Sequence, residues 1–140
     1  MRPPPVEVPG PLVWYVVFCD QPWLFWWQRA LRRGFRHVFA FGYDGDRAAW
    51  LLVDPCASGL VVSALTADEV TAFIMAARTR NVRCLKVRRG DRRSSWPPLG
   101  PASCVTAIAK LVGAGGCALS PYGLWRRLRA AGAEEWPAPG

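Results

Sequence analysis

The chain has one histidine, His37, in 140 residues, and only two lysines. Its five cysteines include no C-x-x-C pair, no internal repeat is visible, and no apolar run is long and unbroken. Each shortage excludes something. One histidine without paired cysteines supplies too few ligands for a zinc centre, and five widely spaced thiols (Cys19, Cys56, Cys84, Cys104, Cys117) do not make a disulfide framework. No metal and no other cofactor is expected. The most apolar stretch, residues 12–27, is broken by Asp20, Gln21 and Pro22, so it falls short of the ~20 apolar residues of a spanning helix. The proline-rich start lacks the small-residue cleavage site of a signal peptide. A cytoplasmic protein with reduced thiols is the expectation.

What is present is an apolar chain, 51% hydrophobic with eight tryptophans, of a size that can bury a core as one domain. Residues 1–11 (MRPPPVEVPGP) and 132–140 read as flexible tails around a single domain at 12–131. Because lysine is scarce, the net charge of +8 rests on arginine. Arg29, Arg32, Arg33 and Arg36 form one cluster, Arg88, Arg89, Arg92 and Arg93 a second, and Arg126, Arg127 and Arg129 a third. Such clusters suit nucleic acid, anionic lipid or an acidic assembly partner, and equally a solvated surface. No aromatic-interleaved RNA-binding motif supports the nucleic-acid reading.

Residues 12–19 (LVWYVVFC) read as a buried strand, and residues 23–33 as a helix begun by Pro22 and stopped by Gly34. Its tryptophans are read as core, because four exposed large aromatics would invite association; a lipid- or partner-facing patch is the other reading. Residues 35–43 and 47–54 form a hairpin around Asp44-Gly45-Asp46-Arg47, with Gly45 expected to supply the positive φ of a two-residue turn. A strand at 59–65 leads to Thr66, an N-cap with Glu69 at the capping-box position, and a helix at 67–78 burying Val70, Phe73, Ile74 and Ala77. A strand at 82–87 and a long loop at 90–102 follow. Cys104 then opens a helix whose buried stripe is Val105, Ile108, Ala109 and Val112, and Ser120-Pro121 starts a last helix. The fold class is α+β, a small antiparallel sheet with packed helices.

The hairpin carries the chemistry. If Asp44 pairs with Arg47, His37 faces Asp54 directly, at the ~5 Å spacing of opposed side chains. His37, Phe39, Phe41 and Tyr43 then share a face with Trp50, Leu52 and Asp54, one polar pair ending an aromatic face. Cys104, at a helix start, has unpaired N–H groups and the positive dipole end to stabilise a thiolate and a developing oxyanion. In a Cys-His-Asp constellation His37 takes the thiol proton, and Asp54 fixes the imidazole tautomer and favours its charged form. The bland alternatives are a strand-edge histidine, a turn aspartate before Pro55 and a small buried cysteine. Cys19, Cys56, Cys84 and Cys117 read as structural, with Cys56 the competitor because it closely follows Asp54.

A strand histidine, a polar residue on the paired strand and a later cysteine opening a helix resemble the circularly permuted papain-like hydrolases of the NlpC/P60 superfamily. The phrases FRHVFAF, WLLVDP and SCVTAIAKLVG…SPYGLWRRLR are also similar to small uncharacterised proteins of tailed phages and prophages. The resemblance runs over about residues 12–131. It implies Cys104 as nucleophile, His37 as base and Asp54 as the orienting residue, in a permuted papain-like architecture. It also implies a hydrolase acting on amides such as the peptide bonds of peptidoglycan, in a phage or phage-like particle. Arg93 and Trp96, in the loop before Cys104, are candidate substrate-binding residues. Two other readings stand beside it: a non-catalytic phage structural or assembly protein of the same fold, and a lipid-directed acyltransferase.

Overall fold

In the computed structural model, residues 10–20, 33–56, 59–79, 82–90, 104–113 and 120–136 are described. Val13–Cys19, β-branched and aromatic, is strand β1, paired on both sides. A strand with two neighbours and helices above and below has no wet face. Val16, Val17 and Phe18 accordingly have no exposed surface. The other elements are β2 (His37–Asp44), β3 (Ala49–Cys56), β4 (Gly59–Leu65), α1 (Ala67–Thr79), β5 (Arg83–Arg88), α2 (Cys104–Leu111), α3 (Pro121–Ala130) and β6 (Glu134–Glu135). The strands form one six-stranded antiparallel sheet in the order β4-β3-β2-β1-β5-β6.

Alternation along the strands builds two cores. Trp14, Val16 and Phe18 of β1, with Val38, Ala40, Val53, Leu85 and Val87, meet α2 and α3 on one face. All four residues of the expected α2 stripe are buried there: Val105, Ile108, Ala109 and Val112. Val17, Phe41 and Cys84, with Tyr15, Phe39 and Leu52, meet Val70, Phe73 and Ile74 of α1 on the other face. The starts of α1 and α3 are capped as their residues require: Thr66 Oγ1 accepts from Glu69 N–H at 3.2 Å, and Ser120 Oγ from Gly123 N–H at 3.1 Å.

The hairpin differs from expectation in its turn. Asp44 pairs with Ala49, not Arg47, so four residues connect the strands. The cause is Asp44 itself. Its Oδ1 accepts from Asp46 N–H at 3.1 Å and Arg47 N–H at 3.4 Å, and its Oδ2 takes Arg47 Nη1 at 2.7 Å. This side-chain-closed turn wins over the two-residue turn, and the positive φ falls on Ala48 (50°) instead of Gly45. The slip amounts to two residues. An even slip preserves every side chain's face, so the expected aromatic face survives.

Asp44 also carries a pH prediction. Arg47's hydrogen bond, against the opposing pull of burial, holds the Asp44 carboxyl below its ordinary value of 3.8. A depressed folded value adds stability above the unfolded pKa and loses it as pH falls through the folded one. The stability advantage of wild type over Asp44→Asn should be flat above about pH 5 and shrink below about pH 4 in acid titrations followed by circular dichroism. An advantage unchanged in acid would contradict this assignment.

The sheet also takes in part of the C-terminal segment read as a loose tail. Glu134–Glu135 pairs with β5, Trp136 N–H donates to Cys84 O at 2.9 Å, and its ring lies 4.7 Å from that of Tyr15. Arg83 adds an ion pair to Glu135 at 3.1 Å. A two-residue strand carries no periodicity, so only its partners define it. At the other end, Pro11 of the expected N-terminal tail is buried, its Cβ near the open side of Gly42. The expected helix at residues 23–33, but for its last residue, lies outside the described residues.

Candidate active site

His37 opens β2, and Asp54 lies near the end of β3. Extending the ladder from Ala40–Val53 sets Phe39 opposite Asp54, which makes His37 its diagonal neighbour. Diagonal side chains on one face remain within reach when they are long enough. Here they meet: His37 Nε2 and Asp54 Oδ1 are 2.7 Å apart, with the imidazole 6% and the carboxylate 32% exposed. A carboxylate only accepts, so Nε2 carries the hydrogen and donates it. Nδ1 is then the ring nitrogen that must take a proton in any base chemistry. Phe39 lies beside the imidazole, ring centroids 6.1 Å apart.

The pair faces the α1 side of the sheet. Asp54 borders a cavity there with Phe39, Phe41, Leu52 and Phe73. The helix of Cys104 packs on β2 and β3 from the opposite side. Its C-terminal end is fastened where β5 ends: Gly90 N–H donates to Val112 O at 2.9 Å, and Gly113 turns away with φ 66°. Eight residues give α2 a length of about 12 Å, with Cys104 at the end away from that fastening. The described residues therefore bring His37 and Asp54 together, and carry the cysteine helix onto the hairpin by its other face. His37 is the first residue of β2 and is buried there opposite Cys19, so the pair and the Cys104 helix lie on opposite faces of the sheet.

A residue the sequence reading set aside is nearer to the pair. Cys19 is opposite His37 in the β1–β2 register, hence on the same face, and is partly exposed. Its carbonyl accepts from Arg36 N–H at 3.1 Å. The signal that could have found it is the alternation Tyr15, Val17, Cys19, once β1 is known to pair with β2. Cys84 shares that face but not that role, because burial pushes its thiol up to about 12. In native protein at pH 8, Cys84 is expected to resist iodoacetamide over hours and to react only on unfolding, as site-resolved mass spectrometry would show. Labelling before unfolding would contradict its burial.

Cys56 ends β3 opposite Gly59. Arg93, Trp96 and Cys117 lie outside the described residues. Among the described residues, no three His, Cys, Asp or Glu side chains converge as metal ligands, and no helix is long and apolar enough to cross a membrane. The chain matches no family model, no curated protein and no solved structure at a significant level.

Proposed function

We propose that this protein is a cysteine-dependent amide hydrolase with a permuted papain-like fold, using Cys104 as nucleophile, His37 as general base and acid, and Asp54 as the orienting carboxylate. The observation that carries it is the 2.7 Å hydrogen bond from the chain's only imidazole to Asp54. That bond commits Nε2 and leaves proton transfer to Nδ1. In the reaction, Nδ1 takes the thiol proton and Sγ attacks the amide carbonyl carbon. The C–N bond breaks as His37 returns the proton to the departing amine. Water, deprotonated by the same nitrogen, then cleaves the thioester and releases the acid and free thiol. Cys104 is preferred over Cys19 because a helix start offers N–H groups to the thiolate and the oxyanion, which a cysteine within a ladder does not. Since α2 packs on the face opposite the pair, this choice requires the Cys104 thiol to reach His37 around the end of β2.

The most concrete substrate is a peptide bond of peptidoglycan, reached from a phage or phage-like particle. Arg93 and Trp96 are proposed to contact it. Incubation with purified peptidoglycan and with soluble cell-wall peptides tests this. New free amines should appear with wild type, persist with Cys19→Ala, and vanish with Cys104→Ala. Activity abolished by Cys19→Ala and retained by Cys104→Ala would transfer the nucleophile to the thiol across from His37.

One observation favours a second reading, a non-catalytic assembly protein of such a particle. Among the described residues, β4 forms an outer edge of the sheet, and it exposes Val61 and Val62, 43% and 59% accessible. Open edge strands with apolar side chains are available for pairing with another chain. Stable co-purification with particle proteins, without cleavage of any wall substrate, would select this reading.

A further inference from the structure

The cavity on the α1 face has the composition of a ligand site. It encloses about 310 Å³ between β2, β3, β4 and α1, which lies at the small end of ligand pockets. Phe39, Phe41 and Phe73 wall it with mutually tilted rings, at 5.4 Å for Phe39–Phe73 and 5.5 Å for Phe41–Phe73. Leu52 and Leu65 complete the apolar wall. Among the described residues that border it, two are charged, Asp54 and Glu69, and both are acids in a protein whose net charge is +8. Asp54 is bonded to His37. The Glu69 carboxylate has no ion-pair partner among the described residues, and its residue is exposed at the mouth, in the first turn of α1.

From these observations we infer that the cavity binds a primary ammonium carrying a bulky apolar group, with the apolar group among the phenylalanines and the ammonium on Glu69. The charge pattern decides against an anion: in a cationic protein, an aromatic cavity whose described border holds two acids and no cation repels carboxylates. Aromatic walls favour an organic cation further, since a ring face attracts positive charge. This inference rests on the hydrolase reading for its meaning. Because Asp54 borders the cavity and is bonded to His37, a ligand filling the cavity touches the carboxylate that holds the base. The substrate class is then narrowed to peptides or amino-acid amides with a free amino group and a large apolar side chain.

The probe is 2-phenylethylamine, compared with the neutral 2-phenylethanol and the anionic 3-phenylpropionate, each titrated by NMR into wild type and into Cys104→Ala. Both proteins should bind in the order amine, alcohol, carboxylate. Glu69→Gln, an exposed and conservative change, should weaken the amine about threefold, as one rim ion pair warrants, and leave the alcohol unaltered. Leu65→Trp, checked for folding by circular dichroism, should abolish binding of both. Equal binding of amine and carboxylate, or binding indifferent to both substitutions, would overturn the inference, as would no binding of any probe. Using Cys104→Ala keeps the two claims separable. Amine binding without hydrolysis would leave the cavity assignment and remove the enzyme; hydrolysis without charge discrimination would do the reverse.

Discussion

His37→Ala is expected to lower the rate of amide cleavage by about 10²–10⁴-fold, the usual contribution of a positioned acid–base group. No other imidazole exists in the chain, and this one is held by a 2.7 Å bond at 6% exposure. Asp54→Asn should fall between wild type and His37→Ala. The amide oxygen can still accept from Nε2–H, but the negative charge that favours the imidazolium is gone. The expected signature in His37→Ala is a large drop in kcat with a smaller change in KM, since His37 is not among the described residues lining the cavity. Asp54→Asn, which removes a charge from the cavity border, should also raise KM for a cationic substrate. Equal losses in Asp54→Asn and in a distant surface substitution would mean that the His–Asp bond has only a structural role.

Gly113→Ala is expected to destabilise the fold by about 2–5 kcal/mol, combining left-handed strain of ~1–2 kcal/mol with overpacking of ~1–3 kcal/mol. At φ 66° the residue occupies the region L side chains avoid, and an added Cβ would run into the Gly90 carbonyl. Neither partner is a side chain that can swing away. Gly132 supplies the control: it has φ 101° but nothing within 4 Å of an added Cβ. Gly132→Ala should therefore cost only backbone strain. Denaturant melts of the two variants separate the contributions, and equal midpoints would refute the clash. Since Gly113 fastens the C-terminal end of the helix that Cys104 opens, a folded Gly113→Ala protein should also lose activity out of proportion to its stability.

The candidate pair was legible in the sequence because it depends on parity more than on register. The turn differs from the two-residue one its Gly45-Asp46 pair suggests, because Asp44 closes a four-residue connection, yet a two-residue slip leaves His37 and Asp54 on one face. Helix α2 was legible for a different reason: its stripe of Val105, Ile108, Ala109 and Val112 has the helical period and nothing competes with it. Three features could not be read. β6 is two residues long and exists only through its pairing with β5. The position of Cys19 across from His37 depends on which strand lies beside β2, a long-range choice that local pattern does not encode. Nor does the pattern say on which face of the sheet each helix packs, and that choice sets α2 and the His–Asp pair on opposite sides.

The central claim is that His37 activates the thiol of Cys104, and the pH dependence of alkylation at each cysteine tests it most directly. An ordinary thiol of pKa ~8.5 slows about tenfold for each unit below its pKa. A thiolate held to pKa ~5 by an imidazolium reacts at nearly constant rate from pH 6 to 8. At pH 6 it has ~300-fold more thiolate, partly offset by ~30-fold lower nucleophilicity, a net gain of roughly tenfold. Iodoacetamide labelling resolved by mass spectrometry should show this flat profile at Cys104 in wild type and an ordinary slope there in His37→Ala. A steep slope at Cys104 in both proteins would contradict the claim, and a flat, His37-dependent profile at Cys19 would assign the thiol to β1.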